Sequence, residues 1–301
     1  MGAEWPAGAA LAMETWPVRS RGFMGAVMQG SWGIGFLLSS ALYGLFYNVI
    51  GWRGLLMIGI APALVIIYIR LFVKEPEVWV ENRRLQTLQH REMRTPLFSI
   101  FKFGLLGNTL TTCLMMASAF VIYYANYALF ATHLQLDLKL SPALVALPIA
   151  LANACLFLSA ILWGFVADRV GRRWAIAIPA ALGLPTAFLY LLAQDYTWIV
   201  VGFALQGMFA CGGLWSGMPA YLSERFPTEV RATAVAFCFH QGAIWGGLIS
   251  PLLLLYATTH QMTLAGPILV TTVLGLAIFL IAVLLSPETK GKALVADLTV
   301  A

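Results

Sequence analysis

Long apolar runs separated by short polar loops dominate this sequence. Each of eight runs reaches about 20 residues or more, the length that an α-helix needs to cross a membrane. Only 10% of the residues are charged, whereas soluble domains carry about 25%. A soluble enzyme, a disordered chain and a nucleic-acid-binding domain are therefore excluded, and the sequence predicts an all-α membrane protein. The runs lie near 22–47, 54–73, 102–131, 143–166, 174–193, 197–221, 233–257 and 264–285.

The first 13 residues, MGAEWPAGAALAM, are apolar but too few to span a bilayer. They also lack the basic segment and the long apolar core of a signal peptide. We therefore expect that the chain begins partway through a helix, with Met1 as an internal methionine or the start of a shortened chain.

The long polar stretch at 74–99 is predicted to be a surface linker between two halves. If this linker is cytoplasmic, all but two of the 18 lysines and arginines fall on the inner side, the exceptions being Arg53 and Lys139. This asymmetry predicts an inner-membrane protein whose loop 14–21, linker 74–99 and C-terminus are cytoplasmic. The net charge of +5 is then an orientation signal and requires no nucleic-acid partner.

A four-residue pattern occurs twice, 210 residues apart, and indicates an internal repeat. A Pro-Glu pair also recurs, at 76–77 and 287–288, so residues 1–77 are predicted to repeat residues 211–288 in the same orientation. The segment 100–210 has no earlier counterpart, which predicts that three helices and the start of a fourth are missing before residue 1. The pattern comprises Trp5, Glu14, Pro17 and Arg21 in the first copy and Trp215, Glu224, Pro227 and Arg231 in the second.

Four motif types resemble those of the major facilitator superfamily. The loop GFVADRVGRR at 164–173 is similar to its G-x-x-x-D-R-x-G-R-R loop, and the repeated Glu and Arg are similar to its E-x6-R motifs. KEPEVW at 74–79 and SPETKG at 286–291 are similar to the segments that close each half of sugar porters. The resemblance implies a two-bundle helical fold, here incomplete, running from part of helix 4 through helix 12.

This resemblance divides the chain into four parts. It implies a remnant of the N-terminal bundle at 1–73, a cytoplasmic linker at 74–99, a C-terminal six-helix bundle at 100–286 and a cytoplasmic tail at 287–301. It also implies a monomer when full-length, with a small-molecule substrate, the lipid bilayer and protons as partners, and no cofactor.

The opening GAEWPAGAALAMETWP and the stretch RFPTEVRATAVAF resemble the sialate, lactate and aromatic-acid proton symporters of the superfamily. Sugar porters usually carry a Gln pair on the seventh helix. The corresponding run here, TTCLMMASAFVIYYANYALF, contains no Gln pair. We therefore expect a secondary active transporter that moves a small organic acid by proton symport. A sugar or polyol porter is the alternative within the superfamily, and a non-transporting membrane sensor or structural subunit is the alternative outside it.

Charged residues at the inner ends of the helices are predicted to form a cytoplasmic gate. Pairs across the two halves would hold that side closed in the outward-open state, and breaking them would favour the inward-open state. Because an exposed pair contributes at most about 1 kcal/mol, a network is required. The alternative is that these charges only set topology. The predicted gate residues are Glu14, Arg21, Asp168, Arg169, Arg172, Arg173, Glu224 and Arg231.

Two residues in apolar runs are candidates for proton coupling. Glu4 is an intramembrane carboxylate, which is costly and by default suggests a function. His240 lies in the run 233–257 and is able to take up a proton or to contact substrate. For both residues the alternative is structural: Glu4 pairs with another helix or lies near a helix end, and His240 hydrogen-bonds a neighbouring helix.

Polar residues within the apolar runs are candidates for a substrate cavity. Tyr123, Asn126 and Tyr127 share one helical face, which fits either a cavity wall or an aromatic belt at the outer interface. The four cysteines lack a C-x-x-C spacing and are predicted to be buried structural thiols. We expect neither a metal site nor catalysis. Further cavity candidates are Asn153, Gln206, Trp215 and Gln241.

Overall fold

The computed structural model describes residues 4–72, 75–90 and 96–296. These described ranges contain helices and no β-strand, as the apolar runs predicted. A 3-10 turn at Val18–Ser20 and a π-helical segment at Gly207–Gly213 complete the regular structure. The α-helices are α1 Glu4–Thr15, α2 Arg21–Ile58, α3 Ala61–Phe72, α4 Glu77–Leu88, α5 Pro96–Ser99, α6 Phe103–Tyr127, α7 Phe130–Leu136, α8 Pro142–Arg169, α9 Arg172–Leu191, α10 Tyr196–Gln206, α11 Leu214–Ser216, α12 Met218–Arg225, α13 Arg231–Thr259 and α14 Ala265–Leu284.

Six helical segments of the described chain are long and apolar enough to cross a membrane. They coincide with the last six predicted runs, so the helical content of the C-terminal bundle is as the sequence predicted. α13 and α14 both pack against α6, α9 packs against α14 and α10, and α8 packs against α10. The spans are Gly104–Leu136, Leu144–Arg169, Arg172–Leu191, Tyr196–Arg225, Arg231–Thr259 and Ala265–Leu284.

The two N-terminal runs are helical, and a break in helical geometry falls between them, where the sequence predicts a loop. α2 spans Arg21–Ile58, but Gly51 (φ 64°, ψ −176°) divides it into two helical segments that meet at a kink. The rest of the second run forms α3, which has 12 residues. The kink lies within NVIGWR, the residues between the two runs, and glycine is the residue that adopts a positive φ there without steric cost. The second run is itself divided, because α2 ends at Ile58 and α3 begins at Ala61.

The fourth span is one stack of three helices and a π-helical segment. α10 leads into Gly207–Gly213, whose sequence is GMFACGG, and this leads through α11 to α12. A π-helical turn inside an α-helix frequently marks a functional site, because it shifts the faces that the two flanking segments present. Cys211 and Gly212 of this segment line the cavity described below.

The N-terminal helices lie along one side of the C-terminal bundle. α2 packs along α8, and α1 packs against α12 and α13. Aromatic contacts join these helices: Trp5 stacks on Phe239 with ring centroids 3.8 Å apart, and Phe23 stacks on Phe165 at 4.5 Å. The seam between α1–α2 and the bundle contains both the charged residues and the cavity considered next.

Candidate functional site

Two ion pairs join the two copies of the repeated motif crosswise. Glu14 of the first copy accepts a hydrogen bond from the guanidinium of Arg231 in the second copy. Glu224 of the second copy pairs with Arg21 of the first, with 3.3 Å between Arg21 Nη1 and Glu224 Oε1. The Glu and the Arg of each copy are therefore neutralised by the Arg and the Glu of the other copy.

Each of these arginines is also anchored within its own copy. Arg21 Nε donates to the carbonyl of Met13 at 2.9 Å, and Arg231 Nε donates to the carbonyl of Ser223 at 3.0 Å. The two acceptors occupy equivalent positions in the repeat. The sequence repeat is thus also a repeat of side-chain geometry.

Glu224 is the centre of the buried charges. Besides Arg21, its carboxylate contacts Arg172, whose Nε lies 3.3 Å from Oε2 and whose Nη2 lies 3.4 Å from Oε1. Thr289 Oγ1 donates to Oε2 at 2.7 Å. Glu224 is 0% exposed and Arg172 is 1% exposed. Charges this far from water are tolerated only when they are paired and hydrogen-bonded, as they are here.

Asp168 connects this centre to the start of α2. Its Oδ1 pairs with Arg172 Nη1 at 2.6 Å and also accepts from the amide of Gly22 at 2.9 Å. Its Oδ2 accepts from the amide of Phe23 at 2.9 Å. A carboxylate at a helix N-terminus satisfies free N–H groups and interacts favourably with the helix dipole. Asp168 therefore caps a helix and pairs with a cation at the same time.

Glu288 plays the corresponding part at the start of α9, a role that the sequence analysis missed. Its carboxylate accepts from the amides of Arg172 at 2.8 Å and Arg173 at 3.1 Å. Gly171 precedes them with φ 126°, and a Cβ there would lie 2.6 Å from Glu288 Oε2. The positive φ requires glycine at 171, and an added Cβ would also displace the Glu288 carboxylate. The recurring Pro-Glu pair was the sequence feature that pointed to Glu288, but it was interpreted only as evidence for the repeat.

Two predicted gate residues stay outside this arrangement. Arg169 is exposed, with its guanidinium 6.0 Å from the ring of Phe165. The side chain of Arg173 donates to the Ser286 carbonyl at 3.5 Å, and its guanidinium lies 5.5 Å from the centre of the Trp174 ring. Within the described ranges neither guanidinium pairs with a carboxylate. The other six predicted gate residues and Glu288 are called the charged-end network. The end of the molecule that contains them is called the charged end. The members of the network are Glu14, Arg21, Asp168, Arg172, Glu224, Arg231 and Glu288.

A cavity lies in the seam between the N-terminal helices and the bundle. Trp5 and Trp215 line it, and each stands nine residues before the Glu of its own copy. That separation places the cavity about 13 Å along the helices from the charged-end network. The cavity offers about 150 Å³ to water-sized molecules. It is lined by Trp5, Gln29, Trp32, Phe120, Tyr123, Tyr124, Leu156, Ala160, Cys211, Gly212, Trp215 and Phe239.

The cavity contains polar atoms that the described residues leave without a partner. Gln29 Oε1 and Trp215 Nε1 are buried and make no hydrogen bond within the described residues. Trp32 Nε1 donates to the hydroxyl of Tyr123 at 3.1 Å. A buried polar atom without a partner is costly, so these atoms are available to a ligand or to water. Sequence reasoning missed Gln29 and Trp32; a signal existed, since Gln29 is an amide in the run 22–47.

The structure separates the three residues that were predicted to share a face of α6. Tyr123 lines the cavity, and Tyr127 stacks on it with ring centroids 5.1 Å apart. Asn126 instead lies inside the bundle, where its Nδ2 donates to Thr272 Oγ1 at 3.0 Å and its Oδ1 accepts from the hydroxyl of Tyr190. Asn126 therefore holds α6 against α14 and α9 and does not line the cavity.

Three other predicted cavity residues also make internal hydrogen bonds and are not among the cavity's lining residues. Asn153 Nδ2 donates to the carbonyl of Ile149 at 2.9 Å. Gln206 is fully buried and accepts from Thr186. Gln241 Nε2 donates to the carbonyl of Cys113 at 2.8 Å.

The proton-coupling candidates differ in how far the structure describes them. His240 is partly buried, with Nδ1 2.9 Å from the carbonyl of Ala236, and follows Phe239, which lines the cavity. The backbone of Glu4 begins α1, but its side chain lies outside the described part of the structure. Among described residues no group of three or more His, Cys, Asp or Glu is arranged to hold a metal ion.

The fold and the seam define a multi-pass membrane protein of the transporter class, with two related copies meeting over a cavity. The sequence model of the Major Facilitator Superfamily matches residues 1–152 and 111–297, and the chain belongs to this superfamily. Its members transport solutes and are not enzymes, and they bind small-molecule substrates within the membrane.

Relatives and solved structures agree with this placement. A putative metabolite transport protein of Haemophilus influenzae is 28% identical, covering 98% of this chain and 72% of the relative. The cis,cis-muconate transport protein of Acinetobacter baylyi is 26% identical (94% and 67% covered). The sialic acid transporter NanX of Escherichia coli is 24% identical (86% and 62% covered).

The proton:xylose symporter XylE, solved with 6-bromo-6-deoxy-D-glucose, has the same fold, with a TM-score of 0.68 at 19% identity. The match covers 95% of this chain and 68% of XylE. The chain thus spans between 62% and 72% of the lengths of these four proteins.

Proposed function

We propose that this protein is a secondary active transporter that moves a small organic acid by proton symport and alternating access. The observation that carries the proposal is the seam itself. Crosswise ion pairs hold two related copies together at one end, and a cavity with unpartnered polar atoms lies behind them. Relatives named for muconate and sialic acid support an acidic substrate.

In this proposal the charged-end network is the gate of one side. With all its pairs formed, the cavity is separated from the charged end. A second, wider cavity of about 740 Å³ shares Trp5, Gln29 and Trp32 with the first. It continues along α2 as far as Ser39, away from the charged end. This arrangement supports a state closed at the charged end and accessible from the other. Transport then requires the crosswise pairs to break.

We further propose that the charged end faces the cytoplasm of a bacterial cell. The asymmetry of lysine and arginine between the loops supports this orientation. Loop 14–21, linker 74–99 and the C-terminus are then cytoplasmic, and the full-length protein is a monomer in the inner membrane. Arg169 and Arg173, which are outside the charged-end network, are then placed to meet anionic lipid headgroups.

The chemistry of the lining supports a flat or unsaturated substrate. Trp5, stacked on Phe239, and the rings of Trp215 and Tyr123 form the walls, and such faces favour stacking. Trp215 Nε1 is able to donate to a substrate oxygen, while Gln29 Oε1 is able to accept from a hydroxyl or a protonated carboxyl group. Glu4 and His240 are the proposed sites of proton uptake.

A sugar or polyol is the second candidate substrate. The lining residues in the described ranges carry no formal charge, and aromatic rings with neutral donors and acceptors also suit a sugar. The fold shared with a proton:xylose symporter supports the same alternative.

Uptake by the full-length protein in proteoliposomes tests the proposal. Radiolabelled cis,cis-muconate, sialic acid and xylose are compared with an inward proton gradient, without it, and with a protonophore. Gradient-driven uptake of an acid but not of xylose supports the proposal. Gradient-driven uptake of xylose alone would contradict an organic-acid substrate and support the sugar alternative. Trp215→Phe should weaken uptake, whereas Trp198→Phe, which changes a tryptophan that is 56% exposed on the outside of the bundle, serves as the matched control.

A further inference from the structure

Two of the four cysteines lie side by side although 125 residues separate them in sequence. The Sγ atoms of Cys113 on α6 and Cys238 on α13 are 3.6 Å apart. Cys155 and Cys211 have no such thiol contact among the described residues. The sequence analysis treated all four as structural thiols, because no short spacing linked any pair.

The helices that carry these thiols are held in a fixed register. Gln241 Nε2 donates to the carbonyl of Cys113 at 2.8 Å, which ties α13 to α6 at the level of the pair. One residue further on, a Cβ at Gly242 would lie 2.7 Å from the carbonyl of Met116, so the two backbones are in close contact. A disulfide is about 2.05 Å long, so bond formation requires an approach of about 1.5 Å, within reach of small side-chain rotations.

The two thiols differ in exposure. Cys238 is fully buried, whereas Cys113 is only partly covered. Oxidation is favoured at the more accessible thiol. Cys113 is therefore the thiol placed to react first, and Cys238, whose Sγ lies 3.6 Å away, is placed to react with its product.

We propose that Cys113 and Cys238 form a reversible disulfide when hydrogen peroxide reaches the protein. The Cys113 thiolate attacks one peroxide oxygen and becomes a sulfenic acid, and the other oxygen leaves as hydroxide, which takes up a proton to give water. The thiol of Cys238 then attacks the sulfenic sulfur; the S–S bond forms and a second water leaves. The two thiols lose two electrons in total, and one hydrogen peroxide is reduced to two waters.

The product is a covalent link between α6 and α13 inside the C-terminal bundle. A thiol reductant reverses it by thiol–disulfide exchange. The link requires neither a particular substrate nor transport, so its test is independent of the proposed function.

The test uses the purified protein in detergent, treated with hydrogen peroxide and then with an alkylating reagent. After digestion without reductant, mass spectrometry should find one cross-linked peptide pair that joins Cys113 to Cys238. Free thiols, titrated after denaturation, should fall from four to two and return to four with dithiothreitol. Cys155→Ser is the matched control and should leave the cross-link unchanged, whereas Cys113→Ser should abolish it.

The wild-type result decides the proposal even if a variant fails to fold. Oxidation of Cys113 to the sulfinic acid without a cross-linked peptide would overturn it. A cross-link that joins Cys155 to Cys211 would overturn it equally, because that pairing contradicts the geometry.

Discussion

Glu224→Gln removes a carboxylate that two buried arginines share. Arg21 and Arg172 both contact it; the substitution removes the carboxylate that lies between these two guanidinium groups, while Arg172 keeps its pair with Asp168. Glu14→Gln is the matched control, because it makes the same chemical change at the equivalent position of the repeat. There a single ion pair is lost, the one that Glu14 makes with Arg231.

The distances give the size of the effect. At 3.3 Å and an effective dielectric constant of about 20, each pair of Glu224 gains about 5 kcal/mol before desolvation. Breaking a buried pair by removing one partner costs about 3–5 kcal/mol, because the remaining charge stays buried. Since opening of the charged end lets water reach the orphaned arginine, a cost of about 3 kcal/mol raises the opening equilibrium constant roughly a hundredfold. Repulsion between Arg21 and Arg172 makes Glu224→Gln the stronger of the two changes.

Thiol labelling measures this opening. Ala12→Cys places a reporter in the seam, where Ala12 packs against a buried cluster that contains Ala220. Maleimide labelling of that peptide should accelerate about a hundredfold with Glu14→Gln and by more than that with Glu224→Gln. Glu81→Gln, at a residue 48% exposed, should leave the rate unchanged. An unchanged rate with Glu224→Gln, or a larger effect of Glu14→Gln, would refute the reasoning.

Three further substitutions have definite expected outcomes. Gly171→Ala should destabilise the protein by about 1–3 kcal/mol and lower its Tm, because φ is 126° and the new Cβ would lie 2.6 Å from an oxygen of Glu288. Trp215→Phe keeps a ring but loses the Nε1 donor, so KM for uptake should rise up to about tenfold with kcat little changed. Asp168→Asn weakens the cap of α2, so hydrogen exchange at the Gly22 amide should accelerate while exchange in α14 stays constant.

The spans of the C-terminal bundle were predictable because each is a predominantly apolar run of about 20 residues or more bounded by polar turns. The break between the runs 22–47 and 54–73 was also predictable, and it falls at Gly51 (φ 64°). The second break, between Ile58 and Ala61, was not, because 54–73 reads as one apolar run.

The members of the charged-end network were largely predictable, but their partners were not. Repetition of Glu and Arg at one spacing indicated a network, whereas the crosswise pairing depends on how the two copies approach each other. The roles of Glu288 and Gln29 were missed because a single carboxylate or amide in sequence does not reveal which helix end or cavity it meets. For Asn126, helical periodicity gave the correct angle on α6 but not the identity of the neighbouring helices.

In the proposed transport cycle the seam opens, and the crosswise pairing explains why ionic contacts suit it. Glu14 and Arg21 belong to one copy, yet each pairs with the other copy, so closure of the charged end is what neutralises both. When the copies part, water hydrates the freed charges and offsets much of the lost pairing energy, since burying an ion pair is close to break-even against hydration. An apolar contact of similar area would have no such compensation, because separating it only exposes surface that water disfavours. The charged-end network therefore fixes the register of the closed seam while keeping the closed and open states close in free energy, which is the condition for a two-state equilibrium that a substrate or a proton is able to shift.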